Sequence, residues 1–484
     1  MEACGKEKIE NGLNGRELGL RKVEKGDCPI RDQFVRDRVL TEAEVVGSLK
    51  ESGVVGFGSE VDGADREGWR KALHESEKNF LEYSLQKDLR KKTVALERFE
   101  TLKLEGALDL EYKKQIDVRG KVILAPLTTV GNLPFRRLCK KYGADITVGE
   151  MAIAEHVLKG EKDEWALLRR HKSEDIFGVQ LAGNLSDIVG KASEIVNKKC
   201  DVDFIDLNAG CPIDMVCKKG AGCDLLRRKD KLRGVVRKGS ALVDVPFSVK
   251  MRTGISNDPA GWNAHQLIPK MKEWGASWVT LHGRSKEQRY KRTADWNYID
   301  KCRKIANDSG LPLVGNGDIF SFEDAQEAFT VSDAIMVARG AIIKPWIFAE
   351  IKEARYIDMT AGQRLEMYKE FSGYCLDHYG ADDRGREASR KYLLEWLCFT
   401  CRYPPVGIFE EYGERLDELR PRLNLRIPAA VGRDPLEMTL SSRDPRDWIR
   451  VSEYLLGPVP NGYKFAPKHV GKAWSSEAGM AFQK

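Results

Sequence analysis

The sequence lacks the features that would assign it to a membrane or secreted class. No apolar run is long enough to span a bilayer. The first residues, Met1–Lys6, lack the basic and then apolar pattern of a secretory signal. Eleven cysteines are scattered without a regular framework. Without a signal, reduced thiols are expected, and we predict a cytoplasmic or nuclear protein.

Cysteine and histidine motifs with the spacing of zinc sites are also scarce. The sequence contains one CxxC pair, Cys398 and Cys401, without a second pair or a histidine pair at zinc spacing. The surrounding residues have a helical pattern. We therefore interpret the pair as two ordinary helix cysteines and predict no metal site.

Length and charge set broad limits. A chain of 484 residues is too long for one ordinary domain, so two or three are expected. Hydrophobic residues make up 42% of the chain, which is enough for a sizeable core. Lys and Arg number 80 against 74 Asp and Glu, a net charge of +6. This small excess permits a polyanionic partner without requiring one.

Short apolar runs alternate with longer amphipathic segments between residues 116 and 350. Eight runs are strand candidates: 122–126, 146–148, 176–181, 204–208, 247–251, 278–282, 313–316 and 334–338. Helical patterns lie between them at 134–142, 186–199, 262–274 and 321–329. This alternation indicates a parallel sheet, and eight units of this length predict a (β/α)8 TIM barrel, an α/β fold. A doubly wound sheet is the alternative, but Val122–Gly131 lacks its glycine-rich dinucleotide fingerprint.

The texture of the sequence divides the chain into five regions. Residues 1–63 are polar and poorly periodic, which predicts a loosely ordered N-terminal region, and 64–115 read as a charged helical extension. The barrel is predicted at 116–355. Helix formers and aromatics then predict a helical domain at 356–425. The tail at 426–484, with one clear helix near 445–456, is expected to pack on the preceding domains.

The run from Asn208 to Pro212 follows the fourth strand candidate and contains Cys211. Glycine before the cysteine and proline after it predict a sharp turn at a strand end, where a thiol is accessible to chemistry. The alternative is a buried core cysteine, since free cysteine is among the most buried residue types.

Polar or small residues follow nearly every predicted strand, at the end where TIM barrels build active sites. Each has an ordinary structural explanation alone, such as a capping amide or a solvated lysine. Together they favour one shared mouth rich in basic and amide groups. These residues are Ala125, Pro126, Leu127, Gln180, Asn208, Cys211, Lys250, Arg252, His282, Arg284, Asn316, Gly317, Asp318, Ala338, Arg339 and Gly340.

The same residues suggest a flavin site. Loops after the seventh and eighth strands, 316–318 and 338–340, have the glycines of a barrel phosphate site, with Arg339 as an extra cation. Lys250 suits the N1–O2 edge of a flavin, Gln180 suits another ring edge, and Pro126 with its neighbours offers an apolar wall. No adenine-binding fingerprint is present, so FMN suits the sequence better than FAD.

The chain resembles the tRNA-dihydrouridine synthases, most closely the eukaryotic type that acts on uridine 47 in the variable loop of tRNA. The resemblance covers about 116–470. Its motifs are Leu124–Arg136, Gly149–Ala152, Asn208–Asp214, His282–Ser285, Ile342–Phe348 and Phe465–His469.

The resemblance implies an FMN-bearing TIM barrel, a helical domain that grips tRNA, and NADPH as the reductant. It places Cys211 on the family's catalytic acid, and Lys250 and His282 near flavin and substrate. It implies that the target uracil lies near Asn208 and Arg284, and we add Arg252 as a substrate contact. The FMN contacts it implies are Gln180, Asn316, Gly317, Arg339 and Gly340.

The chain departs from the family pattern at two points. Members of this type often carry N-terminal CCCH zinc fingers, whereas the first 138 residues contain only Cys4, Cys28 and His74 as candidate ligands. Either the RNA-binding extension is lost or 64–111 replaces it. Asp224 stands where a small residue is usual, which puts local packing in doubt.

We expect tRNA as the partner, with mRNA as a second candidate, no membrane, and a monomer. Hydride is expected at uracil C6 and a proton from Cys211 at C5. Basic residues Arg384, Arg386, Arg390 and Lys391 are candidates for phosphate contacts, with an ordinary exposed helix face as the alternative. Two other functions compete: an FMN-dependent barrel acting on a small molecule, and a non-enzymatic RNA-binding protein.

Overall fold

The computed structural model describes residues 40–57, 66–106, 108, 111–408 and 432–468. Most of the predicted N-terminal region, the end of the helical domain after 408 and the last 16 residues lie outside this set. The described residues form two compact units, Ser76–Ala341 and the segments on either side of it. Within these ranges, no helix combines the length and apolar character needed to cross a bilayer.

The first unit is a barrel of parallel strands, and the predicted (β/α)8 TIM barrel is confirmed. Each of the eight strand candidates forms a strand. The barrel strands are β2 (Val122–Leu124), β3 (Thr147–Val148), β6 (Phe177–Ala182), β7 (Phe204–Ala209), β8 (Phe247–Arg252), β9 (Val279–His282), β10 (Leu313–Asn316) and β11 (Ala334–Val337). The remaining strands are β1 (Glu77–Lys78), β4 (Ala152–Ile153), which pairs with β6, and β5 (Arg170–His171), which pairs with β1.

Helices separate the barrel strands, as the amphipathic segments indicated. In chain order, the helices of this unit and its flanks are α1 (Glu42–Glu51), α2 (Arg66–Ser76), α3 (Tyr83–Lys91), α4 (Glu97–Thr101), α5 (Leu133–Lys141), α6 (Ala154–Leu158), α7 (Lys162–Ala166), α8 (Ser186–Lys199), α9 (Asp214–Lys218), α10 (Lys229–Ala241), α11 (Ala264–Glu273), α12 (Trp296–Asp308), α13 (Phe322–Thr330) and α14 (Arg339–Ile343). Short 3₁₀ turns occupy Gly222–Arg227 and Pro259–Gly261.

The barrel closes between its first and second strands. Ile123 of β2 bridges Ile146, just before β3, in parallel, and the Leu124 N–H donates to the Ile146 carbonyl at 2.9 Å. The other neighbours pair in parallel around the ring, for example Asn208 of β7 beside Lys250 of β8. All eight strands therefore end at the same rim, where barrel active sites lie.

The interior of the barrel is apolar below that rim. Its buried cluster is Val118, Ile123, Ala125, Ile146, Val148, Phe204, Trp278, Val314, Ala334 and Met336. The Phe204 and Trp278 rings pack edge to face with centroids 5.0 Å apart. Every second side chain of each strand points into this space. Closer to the rim, the side chains at these inward positions are polar.

The N-terminal segments do not form one separate extension. Helices α3 and α4 lie in the barrel unit, where the Gln86 side chain donates to the Gly160 carbonyl at 2.8 Å and the Phe99 N–H donates to Glu194 at 2.9 Å. Helix α1 lies in the other unit, and Ser48 hydrogen-bonds Thr439 at 3.0 Å.

The prediction of loose order over 1–63 stays a prediction for most of this region, and the described part of it contains helix α1 at residues 42–51. Thr41 and Glu44 make a reciprocal capping box at its start. The apolar side chains Val45 and Leu49, four residues apart, are fully buried. These two side chains span a single helical turn. An apolar repeat of one turn is too short to predict a helix from the sequence.

The second unit is helical in its described parts. Its helices beyond the barrel are α15 (Ile347–Glu353), α16 (Ala361–Tyr379), α17 (Asp383–Thr400), α18 (Pro435–Ser441) and α19 (Pro445–Leu456), with a 3₁₀ turn at Val406–Ile408. The thiols of Cys398 and Cys401 are buried and donate to backbone carbonyls near the end of α17, so they are free helix cysteines.

Arg390 corrects one expectation about phosphate binding. Its side chain is fully buried and bonds Glu387 at 2.9 Å, Ser452 at 3.1 Å and the Gly457 carbonyl at 2.9 Å. Arg390 therefore ties α17 to the end of α19 and presents no charge to solvent. Arg384 and Lys391 are exposed, and Arg386 is half-buried.

A matched pair of glycines tests the packing inside and outside the barrel. Gly178 of β6 lies against the Phe204 ring, and an added methyl group would overlap that buried ring. Gly178→Ala should lower the free energy of unfolding by about 1–3 kcal/mol, because the Phe204 ring is buried and packed against Trp278. Urea unfolding would measure the loss.

Gly234 in α10 is the control. The nearest atom to an added methyl group there is Ser186 Cβ at 3.6 Å, an ordinary contact. Gly234→Ala should stabilise the protein by about 0.5–1 kcal/mol through helix propensity. Equal effects of the two substitutions would contradict the packing described for Gly178.

Candidate active site

Cys211 stands on a turn directly after β7, at the rim of the barrel. The Asn208 side-chain oxygen accepts from the N–H groups of Gly210 at 3.1 Å and Cys211 at 2.8 Å. The Cys211 carbonyl accepts from the N–H of Cys223 at 3.0 Å. Gly222 has a φ of +59°, and a side chain there would come within 2.7 Å of that carbonyl. The turn is thus held from both sides, with its thiol partly exposed.

The thiol of Cys211 is held in its protonated form. Burial raises its pKa above the ordinary value, while a backbone hydrogen bond from Ile213 and the charges of Arg252 and Lys250 act weakly in the opposite direction. A protonated thiol at a strand end can donate a proton, whereas a nucleophilic cysteine requires a lowered pKa. The surroundings of Cys211 therefore suit an acid better than a nucleophile.

Gln180 and Asn208 are joined beneath this turn. The Asn208 amide group donates to the Gln180 side-chain oxygen at 2.8 Å. The Gln180 amide group donates in turn to Asp206 at 2.7 Å. The other oxygen of Asp206 accepts from the Ser248 hydroxyl at 2.6 Å. Four side chains from three adjacent strands thus form one hydrogen-bonded row.

Lys250 connects the two halves of the rim. Its ammonium donates to the Asn316 side-chain oxygen at 3.1 Å, reaching past β9 from β8 to β10. The Asn316 amide group donates to the Met336 carbonyl at 2.7 Å, which fixes its orientation. Burial, aided by the charge of Arg252, lowers the pKa of Lys250 to about 8. The lysine remains charged at neutral pH, with donor hydrogens beyond the one bound to Asn316.

Arg252 braces the turn from the neighbouring strand. Its Nε donates to the Gly210 carbonyl at 3.0 Å, and its Nη1 donates to the carbonyls of Ser285 and Arg289 at 2.9 and 3.1 Å. The residue is buried. Arg252 therefore joins the Cys211 turn to the loop after β9.

A second charged group occupies the ends of β9 to β11. Asp318 accepts hydrogen bonds from Arg284, from Arg339 at 2.8 Å and from the Ala294 N–H at 2.8 Å. Burial raises the pKa of Asp318, but the two arginines outweigh this and keep it below its ordinary value. Gly317, beside it, has a φ of +137° and packs against Ala294. Asp318, in the predicted phosphate loop, thus pairs with the buried Arg284 and the half-buried Arg339.

His282 is neutral in this setting. Arg284 Nη1 lies 3.3 Å from His282 Nε2, and since a guanidinium only donates, Nε2 must accept. The remaining proton is then on Nδ1. Burial and the charges of Arg252 and Arg284 lower the pKa of His282 well below its ordinary value. Arg284 is itself buried and also donates to the Arg292 carbonyl at 2.6 Å, so it contacts His282 from a fixed position.

The structure distributes the predicted site residues over these groups and the wall beside them. Ala125, Leu127 and Ala338 pack on the apolar cluster of the barrel, and the Ala125 N–H donates to the Val337 carbonyl at 2.9 Å. Pro126 follows at the rim and is half-buried, and Gly340 lies in α14 after Arg339. The roles assigned to all these residues stay predictions.

Asp224, which departs from the family pattern, is accommodated by charge pairing. It is buried in the 3₁₀ turn after the Cys211 loop. Arg227 Nε donates to its carboxylate at 3.1 Å, and Arg228 Nε lies 2.9 Å from the other oxygen. The two arginines are neighbours in the sequence, and both side chains reach back over the turn. Asp224 is therefore held by ion pairs, whereas the small residue usual at this position would make apolar contacts.

Sequence reasoning missed Tyr290 and Asp206, as well as Ser248, which binds Asp206. Tyr290, in a charged loop without strand or helix periodicity, is 48% exposed and lies with its ring 6.4 Å from His282 and 4.8 Å from the Arg339 guanidinium. Nothing in the pattern of that loop could have identified it. Asp206 was visible as a charged residue inside an apolar strand, and that signal would have been sufficient to flag it.

The fold and this site place the chain in a known class. Residues 123–415 match the family model for dihydrouridine synthase (Dus). The chain therefore belongs to the dihydrouridine synthase family, and the resemblance inferred from its motifs is confirmed.

Curated relatives are similar over three quarters of the chain. The mouse tRNA-dihydrouridine(47) synthase [NAD(P)(+)]-like protein is 53% identical over 363 residues, which cover 75% of this chain and 55% of the relative. The human protein of the same name is 51% identical, covering 75% and 54%. The tRNA-dihydrouridine(47) synthase [NAD(P)(+)] of Coprinopsis cinerea is 47% identical over 381 residues, covering 76% and 55%. The chain spans about half the length of these relatives.

The protonated state of Cys211 can be tested by alkylation. Only the thiolate reacts with iodoacetamide, so the rate for Cys211 should keep rising with pH, without a plateau below about pH 9. Peptide mass spectrometry at a series of pH values gives the rate for this cysteine alone, with free cysteine as the reference. A plateau near neutral pH would contradict the prediction and indicate a stabilised thiolate.

Proposed function

We propose that this protein is an FMN-dependent tRNA-dihydrouridine synthase. It reduces the C5–C6 double bond of a variable-loop uridine in tRNA with NADPH as the reductant. The observation that carries the proposal is the Cys211 turn, which places a thiol at the rim of a barrel of this family, with Lys250 and Arg252 on the neighbouring strand. The relatives named for this reaction on tRNA support the substrate class.

The donor set at the rim suits FMN. The mouth holds four cations, Lys250, Arg252, Arg284 and Arg339. Asp318 pairs with Arg284 and Arg339, and Asp206 binds neutral side chains, so positive charge is in excess and suits an anionic ligand. Burial, and secondarily the charge of Arg252, lowers the pKa of Lys250 to about 8. Lys250 would face the N1–O2 edge of the ring, and the loops at 316–318 and 338–340 would hold the phosphate. When bound, FMN would accept hydride from NADPH and donate hydride to uracil C6.

Cys211 completes the reduction by giving its proton to C5. Hydride at C6 pushes electrons toward C5 and O4, and the product requires one proton at C5 from the opposite face. A thiol held mostly protonated serves this purpose near neutral pH. The ammonium of Lys250 and the Nδ1–H of His282 are the donors available to stabilise charge on the uracil oxygens. The uridine must leave its stack to reach them.

Removal of the thiol should separate the two halves of the reaction. Cys211→Ala should bind FMN and oxidise NADPH at the wild-type rate, yet lose dihydrouridine formation by roughly a hundredfold or more, because only the proton donor is missing. Flavin absorbance follows the first half, and mass spectrometry of unmodified tRNA follows the second.

Cys200→Ala is the matched control. Cys200 follows α8 at the opposite end of the barrel strands, and its loss should leave both halves unchanged. Normal dihydrouridine formation by Cys211→Ala would refute the acid assignment. A wild-type protein that binds FMN but forms no dihydrouridine in tRNA would refute the substrate and favour a small-molecule reductase.

tRNA is gripped through its phosphates by the helical unit. Arg384 and Lys391 of α17 are exposed, and such contacts are strongly salt-dependent and largely sequence-blind. mRNA containing a similar loop is a second candidate substrate of the same site.

Charge reversal should weaken this grip. The double variant Arg384→Glu/Lys391→Glu should bind tRNA less tightly and reduce the slope of log Kd against log salt by about 1–2, as expected for one or two lost phosphate contacts. Fluorescence anisotropy with labelled tRNA over a salt series measures both. Lys50→Glu, an exposed residue at the end of α1, is the control for net charge. An unchanged slope would mean that α17 presents an ordinary solvated face.

A further inference from the structure

We infer that Asp206 is a positioning residue that sets the direction of a hydrogen-bond relay ending at the Cys211 turn. The relay runs from Asp206 through Gln180 and Asn208 to the Cys211 N–H, with links of 2.7, 2.8 and 2.8 Å. The inference deepens the proposed function, because it assigns the group that aims the proposed acid.

The first step of the argument is chemical direction. Gln180 and Asn208 each carry one accepting oxygen and one donating amide group, so either could be turned around. An ionised carboxylate only accepts. Gln180 must therefore point its amide group toward Asp206 and its oxygen toward Asn208. Asn208 must then donate to Gln180 and leave its own oxygen for the turn.

The second step is what this direction provides at the turn. The Asn208 oxygen accepts two backbone N–H groups, those of Gly210 and Cys211. If Asn208 were reversed, its amide group would face these two donors, and the turn would lose both bonds. Since misplacement of a reacting group by about 1 Å costs roughly a hundredfold in rate, the relay matters for a proton donor.

The third step is the cost of keeping a charge at this depth. Asp206 is buried inside the barrel, and burial raises its pKa to about 6, against the lowering effects of Gln180, Ser248 and Lys250. An aspartate whose folded-state pKa is raised contributes stability at low pH that is lost as pH rises through that pKa. At pH 8 the ionised group thus opposes folding. A buried group that only served stability would not carry this penalty.

Asp203 provides a matched control three residues earlier. It is also a buried carboxylate, and it pairs with Lys114 at 2.6 Å, Arg170 at 2.7 Å and the Phe177 N–H at 3.0 Å. These contacts lie at the start of the strands, away from the rim. Asp203 is neutralised by two ion pairs, whereas Asp206 faces one cation, Lys250, across its row.

The experiment compares Asp206→Asn with Asp203→Asn in the full chain. At pH 8, Asp206→Asn should raise the melting temperature by roughly 2 °C or more, since the neutral amide removes the buried charge. This gain should shrink below about pH 6, where wild-type Asp206 becomes protonated. Asp203→Asn should lower the melting temperature at both pH values.

The effect on the Cys211 turn is measured by the rate of thiol alkylation and by the rate of dihydrouridine formation. In Asp206→Asn, iodoacetamide should modify Cys211 faster by roughly threefold or more, because a turn that opens more often exposes its thiol more often. FMN reduction by NADPH is followed alongside, because Gln180 is a predicted flavin contact, and dihydrouridine formation should fall further than FMN reduction, by roughly tenfold or more. Asp203→Asn should leave all three rates unchanged in the folded protein.

Unchanged alkylation in Asp206→Asn, or equal changes in both variants, would overturn the inference. A wild-type protein that forms no dihydrouridine would overturn the proposed function alone, because alkylation still reports on the turn. If Asp206→Asn does not fold, hydrogen exchange of the peptide around Gly210 and Cys211 in the wild type decides. Protection corrected for intrinsic rates should fall from pH 7 to pH 5 as Asp206 gains its proton, while Lys250 stays charged, and constant protection would refute the relay.

Discussion

Closure of the parallel barrel is the constraint on which the rest of the structure depends. The pairing of Ile123 with Ile146 joins the first strand to the second, and eight strand ends then form one ring. Residues distant in sequence become neighbours there, as when Lys250 reaches Asn316 across an intervening strand. No local interaction could assemble these groups, because each strand contributes only one or two polar side chains at its end.

The ring of strand ends gathers several buried cations, and two carboxylates among them have different roles. Buried cations are costly unless they are paired and hydrogen-bonded. Asp318 pairs directly with Arg284 and Arg339, and this pairing fixes the loops after β10 and β11. Within the described ranges Asp206 has no direct ion pair, and it binds neutral side chains instead. One carboxylate therefore supplies neutralisation, and the other supplies direction.

Much of this arrangement could be predicted from the sequence, and the reason is periodicity. All eight strands were predicted because each is a short apolar run between helical patterns, and residues at their ends followed directly. Tyr290 and the pairing of Asp224 with Arg227 and Arg228 could not be predicted, because loops and 3₁₀ turns carry no such repeat. Arg390 was misjudged for a related reason: a basic residue on an amphipathic helix reads as exposed unless its buried partners, here Ser452 and a carbonyl, are known.

The orientation of side-chain amides is a further level that sequence alone does not reach. Gln180 and Asn208 were predicted as ligand contacts, yet their hydrogen bonds within the protein are what determine which atoms remain for a ligand. Gln180 keeps one amide hydrogen beyond the bond to Asp206, and Asn208 has its oxygen committed to the Cys211 turn. A ligand at the rim therefore meets an environment whose polarity is decided one layer deeper, by the charge on Asp206. Because that charge is unfavourable for folding at neutral pH, its presence is better explained by the geometry it imposes on Cys211 than by stability.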